Sequence, residues 1–106
     1  MTKEEKKIAG AFKRLLEERI NIHDMVVFGS RARGDAAAFS DMDIMVIIDQ
    51  ILTDEIREYI SDCAWEAGYR AGMVIVPVVY DRKAYETGPE KYSLVVRAAE
   101  FEGIHI

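Results

Sequence analysis

The sequence predicts an α/β (α+β) fold in which a mixed sheet of three or four strands carries helices packed against it. Three observations lead there. Segments of helical period alternate along the chain with short apolar runs of strand character. Those runs, Met25-Val26-Val27-Phe28, Ile44 to Ile48 and Met73 to Tyr80, are almost continuously apolar, as buried strands are. The link between the first two is short for a full crossover, which makes that pair antiparallel and the sheet mixed. At 106 residues the chain fits one domain, residues 1–106, with a core of its own and no room for a separate substrate domain.

Thr2 followed by Glu5 has capping-box spacing, and Ile8, Phe12, Leu15, Leu16 and Ile20 recur at helical intervals, so a first helix is expected over about residues 3–20. A short link from Asn21 leads into the first strand, which Gly29 ends. Residues 30 to about 36 fit one helical turn, 36–39 a loop, and Ser40 or Asp41 opens the second strand, which runs to near Ile48. After a turn at Asp49-Gln50, Thr53 is an N-cap with Asp54 and Glu55 at the positive end of the helix dipole. The stripe Ile56, Ile60, Cys63, Ala64 and Ala67 carries this second long helix to Gly68 or Gly72. Pro77 removes one ladder donor from the third strand, favouring an edge position or a bulge. Asp81 can cap a short turn. Gly88-Pro89-Glu90 then starts a last helix with Tyr92, Val95, Val96 and Ala99 inward and Gly103 at its end, and Ile104-His105-Ile106 can form a terminal strand.

Composition narrows the function classes. A formal charge of −5 argues against bulk nucleic-acid binding, which depends on surplus Lys and Arg. No apolar run approaches the ~20 residues of a membrane span, and the N-terminus lacks the apolar stretch of a secretory signal, so a soluble cytoplasmic protein is expected. The single cysteine, Cys63, allows neither an internal disulfide nor a cysteine-based zinc cluster.

The chemistry gathers between Met25 and Ile48. On a strand, Asp41 and Asp43 project from the same side, about 7 Å apart along the backbone, while Met42 points into the other layer. Their mutual repulsion is relieved by a divalent cation between them, and hard oxygen ligands suit Mg²⁺ or Mn²⁺. Gly29 allows close backbone approach to a ligand, Ser30 offers a hydroxyl and amide donors to phosphate oxygens, and Arg31 and Arg33 add positive charge. Singly, each feature has an ordinary structural reading. Together they place two acids ahead of five apolar residues, where charge is costly unless it is paired or metal-bound.

Gly29-Ser30, ten residues from Arg31 to Ser40, and Asp41-Met42-Asp43 form a GS-x10-DxD pattern. With Arg31-Ala32-Arg33-Gly34-Asp35-Ala36 and the Glu102-Gly103-Ile104 ending, the chain resembles the minimal nucleotidyltransferase (MNT) proteins of the polymerase β-like superfamily along essentially its whole length. The resemblance implies a nucleotidyltransferase fold, with Gly29, Ser30, Arg31 and Arg33 at the nucleotide phosphates and Asp41 and Asp43 as catalytic ligands of Mg²⁺. Many MNT proteins are antitoxins of a helical HEPN-type toxin, and some transfer AMP from ATP to a tyrosine of that toxin. The expectation is therefore a Mg²⁺-dependent, ATP-using antitoxin in a homo- or hetero-oligomer. Two alternatives stand beside it: a catalytically weak or inactive antitoxin that neutralises by binding, and the catalytic half of a small-molecule nucleotidyltransferase. The departure is a third carboxylate, which the superfamily carries on the following strand. Met73 to Tyr80 holds no acid. Asp49 lies about 20 Å along the strand from Asp43, and the reading of Asp81 as a helix cap is favoured over a ligand.

Overall fold

A computed structural model describes residues 1–106. The elements in order are α1 (Lys3–Glu17), β1 (Ile22–Phe28), α2 (Ser30–Arg33), β2 (Met42–Ile48), α3 (Asp54–Tyr69), β3 (Ile75–Asp81), α4 (Arg82–Thr87), a 3-10 turn (Pro89–Tyr92), α5 (Leu94–Glu102) and β4 (Ile104–His105). The strands make one sheet in the order β3-β2-β1-β4. β1 is antiparallel to both β2 and β4, and β2 is parallel to β3. The expected mixed sheet is present with four strands.

Both central strands are apolar on both faces because the sheet is covered on both. Met25 and Val27 of β1, with Met42, Ile44, Val46 and Ile48 of β2, face one layer with Phe12 and Leu16 of α1 and Ile60, Cys63 and Ala64 of α3. The alternate residues Val26, Phe28, Met45 and Ile47 face a smaller second layer with Val96 and Ala99 of α5. Period-2 alternation therefore decides the side of every residue in β2. Asp43 shares parity with Met45 and Ile47, which assigns it to the second, smaller layer.

The caps follow the local sequence. Thr2 and Glu5 close a reciprocal box at the start of α1. Thr53 accepts the Ile56 N–H at 3.2 Å and Asp81 accepts the Ala84 N–H at 2.7 Å, so Asp81 is the cap of α4. Several expected bounds are corrected. β2 begins at Met42 rather than at Ser40 or Asp41, and α2 ends at Arg33 rather than near residue 36. α1 ends at Glu17 rather than Ile20, although Ile20 is still buried by the turn that follows. β3 begins at Ile75 rather than Met73, because Gly72, at φ 66°, turns the chain after α3. The final helix is two pieces: Ser93 accepts the Val96 N–H at 3.2 Å and starts α5 afresh, which leaves Tyr92 outside it and 67% exposed instead of inward. Pro77 lies in a regular register opposite Ile44 on the edge strand β3, so the edge position was the correct alternative to a bulge. No helix is long and apolar enough to cross a membrane.

Candidate functional site

Pairing of β1 with β2 sets Phe28 directly opposite Asp43. The next residue, Gly29, has φ 76° and ψ −156°, a conformation essentially restricted to glycine. A Cβ placed there would lie 2.6 Å from Asp43 Oδ2. Absence of a side chain thus lets the turn between β1 and α2 pass against a carboxylate. Ser30 opens α2 and is half-buried, and Gly34, at φ 81°, closes the turn. The pattern separated by ten residues in sequence is a single locus in space.

Asp41 lies just before β2 and is exposed, whereas Asp43 is half-buried. Burial raises the Asp43 pKa above the usual carboxylate value, the negative charge of Asp41 raises it further, and Arg33 opposes both. This is the electrostatic condition that a divalent cation relieves. The protein has no group of three or more His, Cys, Asp or Glu side chains that could hold a metal. On the β3 side the residue in register with Asp43 is Val76, and Asp81 pairs with Ile48 at the far end of β2. Two carboxylates therefore fit a cation that takes its remaining ligands from water and substrate phosphate.

The two arginines are already engaged. Arg31, with its side chain 11% exposed, donates to Glu5 Oε2 at 3.1 Å and to the Ser40 carbonyl at 2.7 Å. It thereby ties α1 to the loop that delivers Asp41. Glu5 has its pKa lowered chiefly by the Thr2 N–H, with Arg31 adding to the effect against the opposing cost of burial. Arg33 donates to both oxygens of Glu102 at 3.1 Å and to Asp35 at 3.2 Å. Those hydrogen bonds, first Glu102 and then Asp35, raise its pKa. Glu102 Oε1 also accepts the Gly29 N–H at 3.0 Å.

Residues 11–67 match the family described as "Polymerase beta, Nucleotidyltransferase". That is 57 of the 106 residues, more than half of the chain. The chain belongs to this nucleotidyltransferase family. The matched stretch contains Gly29, Ser30, Asp41 and Asp43 and ends before β3 and Glu102. No curated protein matches the chain by sequence. A solved structure described as "Crystal structure of the toxin-antitoxin with AMP-PNP" is similar with a TM-score of 0.62, covering 91% of this chain and 69% of that chain at 18% identity. At that identity the likeness shows a shared fold.

Sequence reasoning groups Gly29, Ser30, Arg31, Arg33, Asp41 and Asp43; the fold sets Gly29 against Asp43, with Asp41 and Arg33 close enough to act on its charge, whereas the Arg31 side chain runs to Glu5 of α1 instead. That reasoning missed what Glu5 and Glu102 do there. Glu5 was legible only as a cap, and Glu102, 73 residues from Gly29, carried no local signal of its contact.

Proposed function

We propose that this nucleotidyltransferase is a Mg²⁺-dependent antitoxin that transfers AMP from ATP to a tyrosine hydroxyl of a HEPN-type helical toxin in the cytoplasm. The observation that carries the reading is the register of Phe28 with Asp43, which sets the turn at Gly29 against the Asp43 carboxylate. The fold likeness to a toxin-antitoxin with AMP-PNP supports the partner and the nucleotide.

Asp41 and Asp43 would hold Mg²⁺, which supplies charge neutralisation at the phosphates. Gly29 and Ser30 would position the β- and γ-phosphates, leaving the α-phosphorus to the attacking oxygen. The tyrosine oxygen bonds to that phosphorus as the bond to the bridging oxygen of the β-phosphate breaks. Pyrophosphate departs and the phenolic proton passes to solvent. A phenol, with a pKa of about 10, needs less help from a base than an alkyl alcohol, which suits a site with two acids. The acceptor must come from another chain, and Phe39, two residues before Asp41, and Phe101, beside Glu102, are 98% and 94% exposed, as partner-facing aromatics are.

Val76 at the position facing Asp43 supports a second reading, neutralisation by binding alone. The small-molecule alternative has no comparable support, since the groove of about 550 Å³ beside Trp65, Tyr69 and Val74 is lined by neither aspartate. Incubation with labelled ATP, Mg²⁺ and the toxin is expected to label the toxin, and Asp41→Asn with Asp43→Asn should abolish labelling. No label, with toxin neutralisation surviving the double substitution, would select the binding reading.

A further inference from the structure

The donors best placed to receive a phosphate already hold an anion. Glu102 Oε1 accepts both the Gly29 N–H, at 3.0 Å, and Arg33, at 3.1 Å, while Oε2 accepts Arg33 as well. Three carboxylates, Glu5, Asp35 and Glu102, are ion-paired to the two arginines of the loop, and Asp43 lies against Gly29. A polyanion therefore meets no guanidinium here that lacks a carboxylate partner.

Helix electrostatics do not account for Glu102. It is the last residue of α5, where a negative charge opposes the helix dipole. Its compensation is the Gly29 and Arg33 contact. The backbone beneath it is tightly set: a Cβ on Gly103 would lie 2.1 Å from the Ala99 carbonyl oxygen and 2.2 Å from Val26 Cγ1. The Glu102 side chain is 18% exposed and Arg33 46%, so solvent reaches the pair and the carboxylate can swing away without displacing α5.

We propose that the Glu102 carboxylate is the resident anion of the phosphate cradle and exchanges for a phosphate group when a nucleoside triphosphate binds. The proposal rests on the nucleotide-binding reading of the site and adds a device to it. Glu102 holds the Gly29 amide and Arg33 together while the cradle is empty of nucleotide, and it competes with the phosphates for both. Affinity for the triphosphate is lowered by that competition, and no guanidinium is left unpaired in its absence.

Inorganic triphosphate with Mg²⁺, titrated calorimetrically, is the probe. Glu102→Gln keeps an oxygen acceptor for the Gly29 N–H and removes the charge, so it should bind about three- to tenfold more tightly than the native chain. Arg33→Met should erase that gain when combined with it. In the native chain, labelled at glutamate carboxyl carbons, the Glu102 NMR signal should move as triphosphate is added. The proposal is overturned by unchanged or weaker binding of Glu102→Gln, by a native Glu102 signal that stays still at saturation, or by failure of the native chain to bind triphosphate. The toxin-labelling assay is scored separately. Tighter binding of Glu102→Gln without toxin labelling would sink the adenylyl-transfer reading and leave the exchange standing, whereas labelling with unchanged affinity would do the opposite.

Discussion

Gly29 and Glu5 show how single residues support the site from opposite sides. Gly29→Ala would force a side chain into a glycine-only conformation and against Asp43 Oδ2. The expected cost is about 1–3 kcal/mol in urea unfolding, with loss of any transfer activity because Asp43 is pushed aside. A variant as stable as the native chain would contradict the geometry. Glu5 links stability to pH. Its folded pKa lies below the usual 4.5, so its contribution is present above that value and lost as pH falls through the folded pKa. Melting temperatures at pH 7 and pH 3 should therefore differ more for the native chain than for Glu5→Gln. At this scale glycine's need was readable from the Gly-Ser turn, and the capping role of Glu5 from its spacing to Thr2. Its ion pair with Arg31 was not, since that contact joins two elements 26 residues apart.

Among the elements, α5 carries the most consequence for the site, because its end bears Glu102 and its buried face, Val96 and Ala99, closes the second layer. Its start depends on Ser93. Ser93→Ala should cost about 1 kcal/mol in denaturant unfolding and fray the first turn of α5, whereas loss of nothing measurable would mean that packing alone starts the helix. The sequence pattern had run this helix continuously from Gly88-Pro89-Glu90, since Pro at a first helical position is a strong start signal. Pro89 does start a helical turn, but only a 3-10 one, and the Ser93 cap begins the α-helix. α1, α3 and both central strands were legible because their apolar spacing is local and their caps are adjacent. Element ends moved by a few residues, which spacing alone does not resolve.

The whole molecule is a sheet whose two edges differ. β3 is an edge strand that carries Pro77 in regular register, while β4 covers the other side of β1 by pairing Val26 with His105 and Val27 with Ile104. The tail is further held where Lys13 Nζ donates to the Ile106 carbonyl at 2.8 Å and His105 Nδ1 meets Asp24 Oδ1 at 2.9 Å. Removal of residues 104–106 should lower stability by roughly 1–3 kcal/mol and speed hydrogen exchange at the newly uncovered β1 edge, and unchanged exchange there would refute the role of β4. By itself the sequence determined the class of fold, the order of its elements, and the grouping of Gly29, Ser30, Asp41 and Asp43, because period, capping and strand parity act over a few residues. Only the tertiary structure decided that Val76 is the residue in register with Asp43, that Arg31 serves the loop before Asp41, and that Glu102 rests on Gly29 and Arg33. Those pairings depend on strand register and on how α1 and α5 dock, and no local spacing in the chain encodes them.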